Sequence, residues 1–267
     1  MKKYVSFFKI RFQTGLQYRA SYVSALATQL PWGLMECLAY VALHETNAAA
    51  FPMELQAVVG YIWLKEAFLV LFNTWNADND IFGMIIDGGI SYELCRPISL
   101  YDMWFARNAG GRLSTAATRC VPILLVALLL PKPFALTFGG SVGTALLFLA
   151  AMALGLGVTI AFCMIVYMLC FFTLSPKGLR RVLVGAVDLL SGNVIPLPFI
   201  PQPWRRVFEL MPFGSMQNVP FRIFTGDLAG AQMVSAMALQ MFWLIALILL
   251  GRGVCALAQR RTVIQGG

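Results

Sequence analysis

Six runs of mainly apolar residues, at 22–43, 55–75, 113–130, 142–174, 179–195 and 233–257, dominate this chain. A helix needs roughly 20 such residues to cross the ~30 Å hydrocarbon core of a bilayer, since each residue adds ~1.5 Å. Each run is therefore read as a crossing, the run at 142–174 being long enough to tilt or to extend beyond the bilayer. Composition agrees: 59% of the 267 residues are hydrophobic and 12% charged, against about half and a quarter in soluble domains. Six crossings and their connections use the whole length. The expectation is one all-α membrane domain over 1–267, with no room for a separate soluble one.

The formal charge of +8 raises nucleic acid as a partner only if the basic residues form a free patch. Here they sit at the ends of the apolar runs, so no nucleic acid is expected. Counting Lys and Arg by side puts fourteen with the two chain ends and the connections at 76–112 and 175–181, against four on the opposite side. By the positive-inside rule both termini are cytoplasmic, the number of crossings is even, and the membrane is the cell membrane. Lys2 and Lys3 resemble the start of a cleavable signal, but Lys9, Arg11 and Arg19 interrupt what would be its apolar core. Residues 2–19 instead place Tyr4, Phe7, Phe8 and Phe12 at helical spacing among basic residues, the pattern of a helix lying in the interface. The six cysteines include no CxxC pair and lie mostly in apolar runs, where a thiol behaves as a small hydrophobe.

Three further features stand out. The stretch 80–108 mixes apolar residues with both charge signs, and Gly88, Gly89 and Pro97 punctuate it. It is too polar to cross and long enough to have a task, either docking a cytoplasmic partner or anchoring the ends of the crossings. The stretch 196–226 is rich in Pro, Trp, Phe and Met, with a short helix expected at 204–211 after Pro203 and breaks at Pro212 and Pro220. It reads as an outer re-entrant helical hairpin between the last two crossings, or as an interfacial loop held by aromatics. Finally, Glu36, Lys65, Glu66, Arg119 and Asp188 fall within apolar runs. Charges there are costly, so Glu36, Glu66, Arg119 and Asp188 are candidates for a polar path or for pairing across helices.

Several chemistries are missing. No GxxxxGK[ST] loop and no GxGxxG opening a helix occurs, so those nucleotide-binding routes are absent. His44 is the sole histidine, which excludes an HExxH zinc site, and no metal site is expected. A serine nucleophile lacks a base. Asp78, Asp80 and Asp87 gather in one stretch, but their spacing matches no metal-binding or phosphotransfer motif. Motive force must come from a partner or an ion gradient.

The run Gly88-Gly89-Ile90, followed by Leu94-Cys95-Arg96-Pro97-Ile98, resembles the coupling-region mark of ABC type 2 exporter permeases. The run from Gly192 through Pro196, Pro198, Pro201, Met211-Pro212-Phe213 and Pro220 resembles the same family's signature between its last two crossings, and Ser175-Pro176-Lys177-Gly178 resembles its bacterial, uncharacterised branch. The resemblance covers nearly the whole chain. It implies a permease that pairs with a second permease, identical or sister, and with two ABC ATPase subunits that hold the ATP and Mg; this chain itself is no enzyme and holds no cofactor. It implies ATPase coupling through 80–97, with Asp80, Asp87, Gly88, Gly89, Glu93, Arg96 and Pro97, and a smaller contact through Lys177 and Arg180. It implies an outer gate at Pro196, Pro198, Trp204, Phe208, Met211, Pro212, Phe213 and Pro220. The cargo would be amphipathic or hydrophobic: a peptide, lipid or drug. The alternative is an ion-coupled secondary transporter using Glu66 and Asp188, for which internal inverted repeats would be the mark; none is evident.

Overall fold

A computed structural model describes residues 2–17, 20–75, 78–173 and 176–261, and every regular element among them is helical. Helix satisfies each backbone N–H and C=O within its own segment, which is what lipid demands. In chain order the helices are α1 (Lys2–Gln17), α2 (Ala20–Thr46), α3 (Leu55–Phe72), α4 (Asn79–Ile86), α5 (Ile90–Leu94), α6 (Leu100–Leu129), α7 (Val142–Leu169), α8 (Pro176–Leu190), α9 (Trp204–Leu210), α10 (Asn218–Phe224) and α11 (Gly230–Arg261). Of the stretch read as an interfacial helix, Tyr18 and Arg19 lie outside the described residues.

Among the described residues four helices are long and apolar enough to cross a bilayer: α3, α6, α7 with its 3₁₀ extension to Phe172, and α11. That is the make-up of a multi-pass membrane protein. Of the other two runs read as crossings, α2 has the length, at 27 residues, but carries Gln29, Pro31 and Glu36 in its middle and stands outside that set. The run at 179–195 is corrected to a shorter helix. α8 has 15 residues, roughly 22 Å at ~1.5 Å each, and ends at Leu190 because Gly192 turns the chain with φ +81°, a conformation that terminates helices and favours glycine. Pro176 begins α8, where its missing N–H costs nothing; Leu174 and Ser175 lie outside the described residues.

α3 is mainly apolar and buried over most of its surface, as a central helix must be, apart from Lys65 and Glu66. It packs against α2, α6, α7 and α10, while α7 holds α11 and α10. Burial marks the layers: 72% of α3 is enclosed by protein, against 11% of the most apolar part of α11. Val234, Phe242, Ile245 and Leu249 of α11 point outward, as on a surface covered by lipid tails.

The polar stretch before the third crossing needs a larger correction. From Leu100 onward it is already α6. Ser99 Oγ accepts the Asp102 N–H at 3.3 Å, capping the helix. Leu100, Tyr101, Met103, Trp104 and Asn108 then recur at helical spacing on its buried face. The charges that make this run look aqueous are compensated inside the protein. Arg107 donates to Asp78 at 2.5 and 2.9 Å and to Asp80 at 2.7 Å. Arg112, only 5% exposed, donates to the carbonyls of Val70, Leu71 and Asn73 at 3.0, 3.0 and 2.7 Å. It thereby supplies donors and positive charge to the carbonyls that close α3. α1 lies along this first part of α6, and the Tyr4 hydroxyl accepts the Ser99 N–H at 3.2 Å.

Candidate functional site

A cavity of about 420 Å³ is lined by residues of α2, α3, the bend after α3, α8 and the turn that follows α8. Three of the four intramembrane residues singled out in the sequence meet there: Glu36, Glu66 and Asp188. Lys65 joins them. Arg119, on α6, is not part of the lining.

Local sequence explains the convergence. Gln29, Trp32 and Glu36 are spaced i, i+3 and i+7, so they share one face of α2. Lys65 and Glu66 sit ten and eleven residues into α3, roughly 15–16 Å from its start. Lys65 Nζ donates to Glu36 Oε1 at 2.6 Å and also contacts Glu36 Oε2, while Glu66 Oε1 stands 3.7 Å away. The side chains of Lys65 and Glu66 are 6% and 4% exposed. A charge so enclosed is costly unless paired, and Lys65 sits between two carboxylates. Asp188 accepts only from the Asn193 amide, at 3.3 Å, among the described residues. Among the described residues the cavity therefore holds three carboxyl groups and one ammonium.

Seven lining residues escaped the sequence reading, among them Gln29, Trp32, Trp75 and Asn193. The α2 face that carries Glu36 is the signal that would have found the first two. Trp75 and Asn193 lie in irregular backbone after α3 and α8, where periodicity gives no direction.

The stretch read as a coupling region forms one end of the molecule, where α3 and α7 finish and α6 begins. Asp78 caps α4 by accepting the Asp80 N–H. Asp80 is bound within the chain, to Arg107 and, at 3.2 Å, to Arg11 of α1. Glu93 and Arg96 pair with each other at 3.7 Å, and Arg96 also lies over the Phe7 ring. Asp87, Gly88 and Pro97 are exposed, and Gly89 is half-buried. Gly88 turns the chain between α4 and α5 with φ +75°. Ile81, Phe82 and Ile90 are buried beneath, so α4 and α5 are seated on the core. Tyr92 projects from them, 80% exposed. Lys177 and Arg180 belong to the first turns of α8, and their side chains lie outside the described set.

The residues read as a gate are spread along the helices rather than gathered at one end. Pro196 and Pro198 are buried around a 3₁₀ turn, whereas Trp204 on α9 is 62% exposed. Phe208 and Met211 are half-buried, and Pro212 begins the turn that follows α9. Phe213 meets Phe162 of α7 edge to face, with centroids 5.4 Å apart. Pro220 does not break its segment: it sits buried in the first turn of α10, where a proline is tolerated. The turn between α9 and α10 reaches well along α7. A Cβ on Gly155 would overlap the Met216 carbonyl oxygen, and Gly155 lies roughly 20 Å along the helix from Val142. Gln240 of α11 pins this turn, donating to Ser215 and Ala151 carbonyls at 3.0 and 3.2 Å. Arg222 of α10 pairs with Glu209 of α9 at 2.6 Å and with Asp227.

No protein-family model matches this chain, and no curated protein matches it.

Proposed function

We propose that this chain is the transmembrane permease subunit of an ATP-driven ABC exporter. It crosses the cell membrane six times, α2 and α8 completing the set, α8 together with the irregular backbone at 191–196 that continues it, with both termini cytoplasmic. It works beside a second permease, identical or sister, among membrane lipid, and two ATPase subunits supply the ATP and Mg chemistry. The cargo is amphipathic or hydrophobic and leaves the cytoplasm between the two permeases, past the hairpin at 196–226.

The observation that carries this reading is the α4–α5 platform. It is anchored through Ile81, Phe82 and Ile90 and yet presents Asp87, Gly88 and Tyr92 outward. Such an element transmits a push from a docked partner to α3 and α6, the helices it connects. ATP shifts the permease only through the different fits of its ATPase in the two states. Asp87 and Tyr92 serve the test better than Glu93 or Arg96, which are tied to each other and to α1. The tagged chain, solubilised in mild detergent, is expected to bring down a P-loop ATPase. Asp87→Lys with Tyr92→Ala is expected to lose that ATPase while the chain still inserts. Repeated recovery of the wild-type chain alone counts against the proposal.

One observation favours the second reading, an ion-coupled transporter: Glu66 and Asp188 line the same cavity. Transport that survives ATP depletion but collapses with the proton gradient would select it.

A further inference from the structure

We infer that the cavity between α2, α3 and α8 binds a lipophilic organic cation, the cargo class of this permease; the cargo assignment rests on the proposed function, while the binding site rests on geometry alone. The lining carries three carboxylates, of Glu36, Glu66 and Asp188, and a single ammonium, that of Lys65. Glu36 already engages that ammonium directly. Asp188 has no Lys or Arg partner among the described residues. An anion entering here would meet the carboxyl oxygens of Glu66 and Asp188, whereas a cation would pair with them.

A second, independent observation points to a missing donor. Gln29 is 6% exposed, lines the same cavity, and its Oε1 has no hydrogen-bond partner among the described residues. Its carbonyl oxygen adds a partial negative charge to that of the carboxyl groups around it. The walls add the third element. Trp32 and Trp75 border the cavity and are 56% and 52% exposed. Indole faces attract organic cations through the ring quadrupole, and Leu69 and Val194 supply apolar surface between them. A small inorganic cation would want six or more oxygens closing around it and gain nothing from tryptophan. At about 420 Å³ the space suits a drug-sized ligand.

The test uses the full chain in lipid nanodiscs, without any ATPase. The probe is tetraphenylphosphonium, with tetraphenylborate as the anion of the same shape, and equilibrium dialysis against empty nanodiscs as the readout. Saturable binding is expected for tetraphenylphosphonium only, unaffected by exchanging KCl for NaCl. Glu66→Gln with Asp188→Asn should weaken it roughly tenfold or more by removing desolvated charge. Trp32→Leu, at a position 56% exposed, should weaken it about two- to fivefold and carries the test if the carboxylate variant fails to fold. The inference is overturned by saturable binding of tetraphenylborate, by displacement with Na⁺ at constant ionic strength, or by wild-type affinity in either variant. Such a result would leave the permease assignment intact, since ATPase recovery is measured separately. Conversely, a chain that binds the cation but never recovers an ATPase would lose the permease reading and keep the site.

Discussion

Replacing Lys65 by methionine removes the ammonium that stands between the Glu36 and Glu66 carboxylates. The methionine keeps most of the side-chain volume, so packing changes little and charge changes entirely. In the wild-type chain Lys65 Nζ contacts Glu36 at 2.6 Å and Glu66 at 3.7 Å, with Lys65 and Glu66 side chains 6% and 4% exposed. Breaking a buried pair by deleting one partner costs roughly 3–5 kcal/mol, because the remaining charge stays enclosed and unpaired. At about 2–4 °C of melting temperature per kcal/mol for a chain of this size, the loss is roughly 6–20 °C. The second arm of the experiment decides the cause. Lys65→Met combined with Glu36→Gln removes both members of the closest pair, and exchanging a whole buried pair is often nearly neutral. The double variant should therefore recover several kcal/mol over Lys65→Met alone. The assay is thermal unfolding of the purified chain in one detergent, read by tryptophan fluorescence for all four members of the cycle. A Lys65→Met chain as stable as wild type would refute the pairing. So would a double variant whose loss equals the sum of the two single losses.

Other outcomes follow from single contacts. Arg112→Leu strips three carbonyls at the end of α3 of their donor and should cost roughly 3 kcal/mol or more, measured as lost melting temperature; Arg112→Lys should restore only part, since one ammonium cannot reproduce the guanidinium fork. Gly155→Val puts side chain where the Met216 carbonyl stands and should cost about 1–3 kcal/mol, with limited proteolysis cutting first in the turn between α9 and α10. Gln240→Leu frees the Ser215 and Ala151 carbonyls and should loosen the same turn, leaving cleavage at the α4–α5 end unchanged.

The helices were largely legible in the sequence because lipid makes them so: long apolar runs admit few other structures. α3, α7 and α11 could be placed to within a few residues. The start of α6 could not, since Arg107 and Arg112 look like aqueous residues until Asp78, Asp80 and the end of α3 are brought to them. The end of α8 was misplaced because hydrophobicity carries on past Gly192 whereas the backbone does not. For the cavity, Glu36, Glu66 and Asp188 announce themselves as charges in apolar runs. Their meeting is a tertiary fact, set by how α2 and α8 lie against α3. Gln29 was readable from its shared face with Glu36, while Trp75 and Asn193, in irregular backbone, were not. Pro220 shows the opposite failure: proline was read as a breaker, but the first turn of α10 accommodates it.

Docking of an ATPase requires that the α4–α5 platform face the cytoplasm, across the bilayer from the turn after α2. Single cysteines at Tyr92, Ala48 and Trp204, in a chain whose native Cys95 is serine, can be labelled with a membrane-impermeant maleimide in intact cells and after permeabilisation. The permease account predicts labelling at positions 48 and 204 from outside and at position 92 only after permeabilisation. Reaction of positions 92 and 48 from the same side would contradict it.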